Sequence, residues 1–322
     1  MLANAQVVTQ VPGSSVGAAQ IAILMCTKDG AAFLEQQLKS IADQTHTNWR
    51  LFVSDDGSTD QTKEILKRFA KTHHQPTTIR NGPGKGVCAN FLSLAIDPTI
   101  EADYFAFCDQ DDIWHQDKLQ RALAWFATVG SDVPAFYCGR TELMSIDGQS
   151  CGFSPLFTRS VTFRNALVQN LGGGNTMVFN RAAKKLLEAA GTFEVVVHDW
   201  WMYQLVSAAG GSVHYDPQPV LRYRQHPDNL IGSNRGWRAR VVRLRMVLSG
   251  RFRDWNDTNI AALRRVPAQL IQPENREILE FFAKTRSASL LKRLYNLRRS
   301  GVYRQTLLGD FGLLVAAIFK RL

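Results

Sequence analysis

Residues 104–114 read Tyr-Phe-Ala-Phe-Cys-Asp-Gln-Asp-Asp-Ile-Trp, and they indicate both the class of fold and the place of a ligand site. Its first five residues form an apolar run of the kind found in strands buried on both faces of a sheet. Three carboxylates follow within four positions, at the end of that strand, where open α/β sheets bind their ligands. Carboxylates this close repel one another unless a cation neutralises them. The stretch therefore predicts a divalent metal, and a phosphate held by it, at the rim of a sheet.

Asp109 and Asp111 are the predicted metal ligands, because they flank a single residue and Mg²⁺ and Mn²⁺ prefer oxygen ligands. The alternative is that these aspartates cap the turn and helix that follow. One aspartate is enough for a cap, so capping accounts for Asp112 better than for all three.

The residues before this stretch alternate between strand and helix patterns. Strands are predicted at 21–26, 51–54 and 77–80, with helices after each. This alternation with short links predicts a mostly parallel, doubly wound sheet. After about residue 135 the order is less regular. Further strands are predicted at 135–138, 176–179 and 220–224, a helix at 200–209, and helices from Trp237 to the end.

The charge of the chain is concentrated near its C-terminus. Residues 233–322 carry 19 Lys/Arg and 6 Asp/Glu, whereas residues 1–232 carry 19 and 22. A basic helical region suits an anionic membrane surface, so a cytoplasmic protein peripheral to the inner membrane face is predicted. The alternatives are a solvated subdomain or a homo-oligomer contact; nucleic-acid binding is not expected, because no recognised module is present. Residues 1–19 are predicted to be a flexible tail without a signal peptide, and no run is long enough to span a membrane.

Two other strand ends carry polar residues that suit a nucleotide. Asp56 follows the second strand and is predicted to accept a hydrogen bond from N3–H of a uracil or thymine ring. The alternative there is a turn and helix cap, for which Asp, Ser and Gly are the usual residues. Lys85 lies in a Gly-rich loop, where it faces either a phosphate or solvent. The remaining residues assigned to the nucleotide are Thr27, Lys28, Asp55, Asp109 and Gln110.

These strand ends resemble the nucleotide-sugar half of the family-two glycosyltransferases, which have the GT-A fold. The motifs are Thr27-Lys28-Asp29-Gly30, Ser54-Asp55-Asp56-Gly57-Ser58-Thr59-Asp60 and Asp109-Gln110-Asp111-Asp112-Ile113-Trp114. The last motif is similar to the bacterial rhamnosyltransferase branch, which builds O-antigen and other cell-surface polysaccharides. The similarity spans residues 20–232, divided into a nucleotide-sugar half at 20–115 and an acceptor half at 116–232. Lys28-Asp29 departs from the family, which more often has an aromatic residue and Asn.

The resemblance implies an inverting, metal-dependent transfer of L-rhamnose from dTDP-L-rhamnose to a saccharide on a polyprenyl diphosphate lipid. Asp199, at an apparent helix start, is then the general base, with capping as its alternative role. Arg224 and His226 are assigned to the donor phosphates, with His226 also a possible metal ligand. The acceptor side is assigned to Gly173, Gly174, Asn175, His198, Trp200 and Trp201. Because the two tryptophans are adjacent and point in different directions, one is expected in the core and the other exposed against a sugar face.

Three alternatives remain at this stage. The donor is another nucleotide sugar, such as a UDP-glucose or UDP-galactose type. The protein is a sugar nucleotidyltransferase, although residues 20–30 lack the glycine-rich loop with Arg expected of that class. The protein is a membrane-associated scaffold that has lost its activity, against which the retained Asp109, Asp111 and Asp199 argue.

Overall fold

A computed structural model of the chain describes residues 19–225 and 250–322. Most of the predicted N-terminal tail, the predicted ligand His226 and the basic stretch up to residue 249 therefore lie outside the described residues. The strands are β1 (Ile21–Thr27), β2 (Trp49–Asp55), β3 (Thr77–Asn81), β4 (Tyr104–Cys108), β5 (Ile113–Trp114), β6 (Ala135–Met144), β7 (Ser150–Phe153), β8 (Val178–Asn180) and β9 (Ser212–Arg224).

In the described residues, seven helices lie between the strands in the chain and four more follow β9. They are α1 (Ala31–Ala42), α2 (Thr62–Thr72), α3 (Val87–Ala95), α4 (Lys118–Phe126), α5 (Phe163–Ala166), α6 (Arg181–Ala190), α7 (His198–Ala208), α8 (Arg251–Arg265), α9 (Pro273–Ser287), α10 (Leu290–Ser300) and α11 (Leu307–Ile318). Short 3₁₀ turns lie at Gly174–Thr176 and Ala268–Leu270.

The strands form one sheet in the order β3-β2-β1-β4-β8-β6-β9-β5, with β7 paired to β6. Strands β1 to β4 are parallel, as the alternation of strands and helices predicted. The second half is mixed, because β8 runs antiparallel to both β4 and β6 while β9 runs parallel to β6. The prediction of a mostly parallel sheet thus describes the first half of the sheet and not the second.

Strand β1 shows why these apolar runs become central strands. Ile21, Ile23 and Met25 pack into one apolar cluster, and Ala22 and Leu24 pack into another on the opposite side. Side chains alternate between the two faces of a strand, so a continuous apolar run fits a sheet covered on both sides. Helices α1, α2 and α4 cover one face, and α3, α6 and α7 cover the other.

The parallel register brings three strand ends to one edge of the sheet. Thr27 lies opposite Asp55, and Met25 lies opposite Cys108. The segments that follow β1, β2 and β4 therefore emerge side by side, which is where an open α/β sheet binds its ligand.

The described part of the basic C-terminal region, residues 250–322, is helical, as predicted, and it packs against α7. Phe252, Leu279 and Phe282 are buried in the same apolar cluster as Trp200 and Leu205 of α7. Helices α8 and α9 thus share a core with the helix that begins at His198.

Candidate active site

The three carboxylates after β4 converge on one point. One oxygen from each of Asp109, Asp111 and Asp112 lies within 4.8 Å of the others. We call these residues the acidic cluster. Asp112 is fully buried, whereas Asp109 and Asp111 are partly exposed. The cluster therefore has a closed side and a side that opens to the surface.

The electrostatics of the acidic cluster favour a bound cation. Burial, together with the charges of Asp111 and Asp199, raises the pKa of Asp109 to about 8. Burial, together with the charges of Asp111 and Asp109, raises the pKa of Asp112 well above its ordinary value. A divalent cation would relieve this repulsion, and a set of carboxylate oxygens fits Mg²⁺ or Mn²⁺. The residues present are thus suited to the metal that the sequence predicts.

The capping alternative does not hold for Asp112. The next helix, α4, begins at Lys118, six residues after Asp112, and it is preceded by Asp117. Asp112 instead accepts a hydrogen bond from Nδ2 of Asn175 at 2.5 Å and points into the protein. It belongs with Asp109 and Asp111 in the acidic cluster.

Lys118 is a residue of this site that sequence reasoning missed. It is completely buried, with Nζ 3.3 Å from the ring centroid of Trp114 and 2.5 Å from the carbonyl oxygen of Asn175. Burial lowers the pKa of Lys118 to about 7, against the opposing effect of Asp112 and Asp109. Nothing in the local sequence distinguishes it from a solvated lysine, because the carbonyl that takes its hydrogen bond, that of Asn175, lies 57 residues away.

One short turn, Gly174–Thr176, joins the acidic cluster to Asp199. Asn175 donates to Asp112, as described, and the N–H of Gly174 donates to Oδ2 of Asp199 at 2.9 Å. Asp199 lies in the first turn of α7, and its Oδ1 accepts from the N–H of Trp200 at 2.6 Å. Asp199 is also close enough to contribute to the raised pKa of Asp109. The glycine segment predicted to face the acceptor therefore positions carboxylates on both sides of the site.

His198 packs beneath this turn. Its ring stacks on Phe91, with centroids 4.2 Å apart, and meets Phe107 edge-on at 4.8 Å. A Cβ at position 174 would overlap the imidazole, so glycine is required there. Burial lowers the pKa of His198, which keeps the ring neutral. His198 therefore supports the turn that holds Asp199.

The two tryptophans of α7 do not have the role predicted for them. Trp200 and Trp201 are 4% and 2% exposed. Trp200 donates from Nε1 to the carbonyl oxygen of Ala166 at 2.7 Å, and Trp201 meets Phe193 edge-on. Neither indole offers a face to a sugar, so both are core residues, because α7 is buried on all sides.

On the nucleotide side, Gln110 joins the ends of β1 and β4. Its Oε1 accepts from the backbone N–H of Lys28 at 2.8 Å, and its Nε2 donates to the carbonyl oxygen of Lys28 at 2.9 Å. The ammonium of Lys28 donates to the carbonyl oxygen of Gly57 at 2.6 Å. These bonds fix the edge of the sheet beside the acidic cluster. Both polar atoms of the Gln110 amide, which was assigned to the donor, bond to Lys28 instead.

Asp55 and Thr27 are structural in this arrangement. Asp55 is buried and accepts from the hydroxyl of Thr27 at 2.9 Å and from the N–H of Ser58 at 2.9 Å. Burial alone would raise the pKa of Asp55, but the bonds from Ser58 and Thr27 lower it overall. Both side chains thus hold the turn after β2 and were wrongly assigned to the nucleotide.

Asp56, which follows β2, binds the loop after β3 that carries Lys85. The carboxylate of Asp56 accepts from the N–H groups of Gly84 at 2.6 Å and Gly86 at 3.1 Å. Lys85 lies between these glycines and is exposed. Asp56 therefore holds the loop that presents Lys85.

Arg224 also differs from its predicted role. Its side chain is buried, and its three nitrogens donate to the carbonyl oxygen of Asp111 at 3.1 Å, that of Ile146 at 2.8 Å and Oε1 of Gln36 at 2.7 Å. The guanidinium lies over the ring of Phe33. Arg224 thus supports the backbone of the acidic cluster from behind and does not face a phosphate. His226, its predicted companion, lies outside the described residues.

We expect Asn175→Ala to weaken Mn²⁺ binding about tenfold, because residues that orient metal ligands typically contribute that much or more. The variant leaves Asp112 without its amide donor while every carboxylate remains. Mn²⁺ affinity is measured by electron paramagnetic resonance. Asn180→Ala is the matched control, since Asn180 is a buried asparagine that bonds only backbone groups of Ala135, Val133 and Ala183. Equal Mn²⁺ affinity in both variants would show that Asn175 does not orient a ligand.

Comparison with known proteins identifies the family. Residues 22–187, about half of the chain, match the model for glycosyl transferase family 2. The dTDP-rhamnosyl transferase RfbG of Shigella flexneri is 30% identical over 244 residues, covering 71% of this chain and 81% of that protein. The glucosyltransferase WfgD of Escherichia coli, named for UDP-Glc and α-D-GlcNAc-diphosphoundecaprenol, is 26% identical over 50% of this chain and 60% of its own length.

Solved structures agree on the fold. The mannosyltransferase PcManGT of Pyrobaculum calidifontis, in complex with GDP-Man and Mn²⁺, has a TM-score of 0.56 at 17% identity, over 88% of this chain and 74% of that one. A fragment of S. aureus TarS in complex with UDP-GlcNAc has a TM-score of 0.50 at 14% identity, over 87% and 90%. The chain is a glycosyltransferase that belongs to family 2, and it has the GT-A fold that its strand ends predicted.

Proposed function

We propose that this protein is an inverting, metal-dependent rhamnosyltransferase that moves L-rhamnose from dTDP-L-rhamnose to a lipid-linked saccharide. One observation supports this most directly. A single turn, Gly174–Thr176, bonds to Asp112 of the acidic cluster and to Asp199. A site for the leaving diphosphate and a candidate base are thereby held side by side, which an inverting transfer needs. The similarity to RfbG supports the choice of sugar.

The acidic cluster would hold Mg²⁺ or Mn²⁺ through Asp109 and Asp111, with Asp112 on its buried side. The cation, when bound, supplies positive charge for the diphosphate that leaves the sugar. Asp199 takes the proton of the acceptor hydroxyl. The hydroxyl oxygen forms a bond to the anomeric carbon, and the bond from that carbon to the diphosphate breaks. Asp56 and Lys85 are the proposed contacts of the base and a phosphate, since both lie at the neighbouring strand ends.

A UDP-sugar is the second candidate donor. WfgD, a glucosyltransferase named for UDP-Glc, matches half of this chain, although at lower identity than RfbG. Lys28 stands at the first strand end, where its side chain bonds to Gly57. Thymine and uracil present the same N3–H group to Asp56, so that contact does not favour either donor.

The acceptor is proposed to be a saccharide on a polyprenyl diphosphate, used at the inner face of the cytoplasmic membrane for an O-antigen-like polysaccharide. The named substrate of WfgD, a diphosphoundecaprenol, supports this class of acceptor. The basic balance of residues 233–322 supports an anionic membrane surface. Among the described residues, no helix has both the length and the apolar character needed to cross a membrane.

Purified protein should be stabilised by dTDP-L-rhamnose in the presence of Mn²⁺, and less by UDP-glucose or GDP-mannose. A ligand at 100 times its Kd adds about 2.7 kcal/mol to the free energy of unfolding, which raises the melting temperature by several degrees. The thermal shift is followed by an assay for dTDP release. Preferential stabilisation and turnover with UDP-glucose would show that the donor is a UDP-sugar and not dTDP-L-rhamnose. No stabilisation by any nucleotide sugar would contradict the proposed function.

A further inference from the structure

The last helix, α11, is apolar on all sides, yet only one side of it packs against the protein. Leu313, Ala316 and Ala317 are buried. On the opposite side, Leu307 and Phe311 are 87% and 62% exposed. We define the α11 outer face by its exposed apolar residues, Leu307, Leu308, Phe311, Leu314, Ile318 and Phe319.

These residues form one continuous stripe. Leu307, Phe311, Leu314 and Ile318 are spaced by four, three and four residues, so they share one side of the helix. A surface helix normally turns polar residues outward, and a helix that is apolar all round is normally covered on every side. An exposed apolar stripe of this length marks a surface that binds another apolar phase.

The surroundings of the stripe are basic. Residues 290–322 contain seven Lys/Arg and one acidic residue, Asp310. Asp310 forms an ion pair with Arg159 at 2.6 Å, so its charge is compensated. Arg293 is buried and donates to the carbonyl oxygen of Ala317, which fixes the end of α11. The basic residues left exposed are Lys292, Arg298 and Arg299 of α10, and Lys320 just after α11.

We propose that the α11 outer face docks onto an anionic lipid bilayer. Apolar side chains, with exposed lysines and arginines on the neighbouring helix α10 and just after α11, match the boundary between acyl chains and acidic headgroups. A helix of twelve residues is about 18 Å long, against an apolar bilayer thickness of about 30 Å, so α11 lies in the plane of the membrane and does not cross it. The sequence predicted membrane association from the basic charge of residues 233–322. The stripe adds to that prediction an apolar contact made by α11, a helix that carries no arginine.

The choice of a bilayer rests on the lipid-linked acceptor proposed above, so membrane binding is measured separately from catalysis. The full-length chain is sedimented with vesicles of phosphatidylcholine containing phosphatidylglycerol. The test variant combines Leu307→Glu with Phe311→Glu. The matched control combines Val133→Glu with Leu156→Glu, two exposed apolar residues outside α11. Hydrolysis of dTDP-L-rhamnose without any vesicle or acceptor reports on the active site alone.

The wild type and the control should bind the anionic vesicles, and the α11 variant should bind at least tenfold more weakly, with hydrolysis unchanged in all three. Binding of the wild type should fall in pure phosphatidylcholine and at high salt. Equal binding by the α11 variant and the wild type would overturn the docking role of α11. So would a wild type that binds no vesicles but forms dimers that the α11 variant does not, because the occupant would then be a second copy. If the wild type does not hydrolyse dTDP-L-rhamnose, that result would count against the proposed function and not against the docking surface.

Discussion

Asp111→Asn is expected to lower dTDP-rhamnose turnover about 10³-fold, the loss typical of removing one group that stabilises a leaving charge. The substitution keeps the shape of the side chain and removes one negative charge from the acidic cluster. Because the carboxylates there repel one another, the metal-free variant should melt at the same temperature as the wild type or higher. Activity and stability thus move in opposite directions, which is typical of a site strained for function.

Turnover is measured as dTDP release, and melting is measured in the presence of EDTA. Asp132→Asn is the matched control, since Asp132 is an exposed aspartate in the loop between α4 and β6. It should change neither quantity. An Asp111→Asn enzyme that turns over within threefold of the wild type would exclude Asp111 as a metal ligand.

Asp199→Asn is expected to keep donor affinity and to lose about 10²- to 10⁴-fold in transfer, which is the usual contribution of a general base. Asparagine cannot accept the hydroxyl proton. Its NH₂ group would also meet the N–H of Gly174 or of Trp200, which now donate to the carboxylate, at a stability cost of about 1–3 kcal/mol. Transfer is therefore compared well below the melting temperature, and donor affinity is measured by calorimetry.

Asp254→Asn controls for the effect of charge at a helix start, because Asp254 is also in a helical first turn and is exposed. Asp254→Asn should lose little stability and no transfer activity. Near-normal transfer by Asp199→Asn would remove it as the base. A parallel loss of donor affinity would instead assign Asp199 to the donor side of the site.

The first half of the fold was predictable because its signals are local. Each of β1, β2 and β4 is a short apolar run that ends in polar residues, and parallel order follows from the helices between them. The insertion of β8 between β4 and β6 was not predictable in this way. Its pairing depends on residues far apart in the chain, such as Phe105 opposite Phe179, and no local pattern specifies direction.

The residues of the site show the same difference between local signals and contacts with distant parts of the chain. Asp109 and Asp111 were found because three acids after an apolar run are unusual in themselves. Asp112 was left out of the predicted ligands, and its place in the cluster could not be foreseen because its partner, Asn175, is 63 residues away. Arg224 looked available for phosphate because the three groups that take its hydrogen bonds cannot be seen from its neighbours in sequence.

The tryptophans of α7 illustrate a different limit. Adjacent residues on a helix point in different directions, so one of Trp200 and Trp201 was expected to be exposed. That inference assumes a helix with one solvent-facing side. Helix α7 is buried along its whole length, since helices after residue 250 cover the side that would otherwise be open.

The acidic cluster is expected to bind one divalent cation that holds a nucleotide diphosphate. A titration of Mn²⁺ followed by electron paramagnetic resonance, with and without dTDP, measures this binding. We predict one bound Mn²⁺ per chain, bound more tightly when dTDP is present, and loss of this binding in Asp111→Asn. Equal Mn²⁺ binding by the wild type and Asp111→Asn, with no effect of dTDP on either, would contradict the claim.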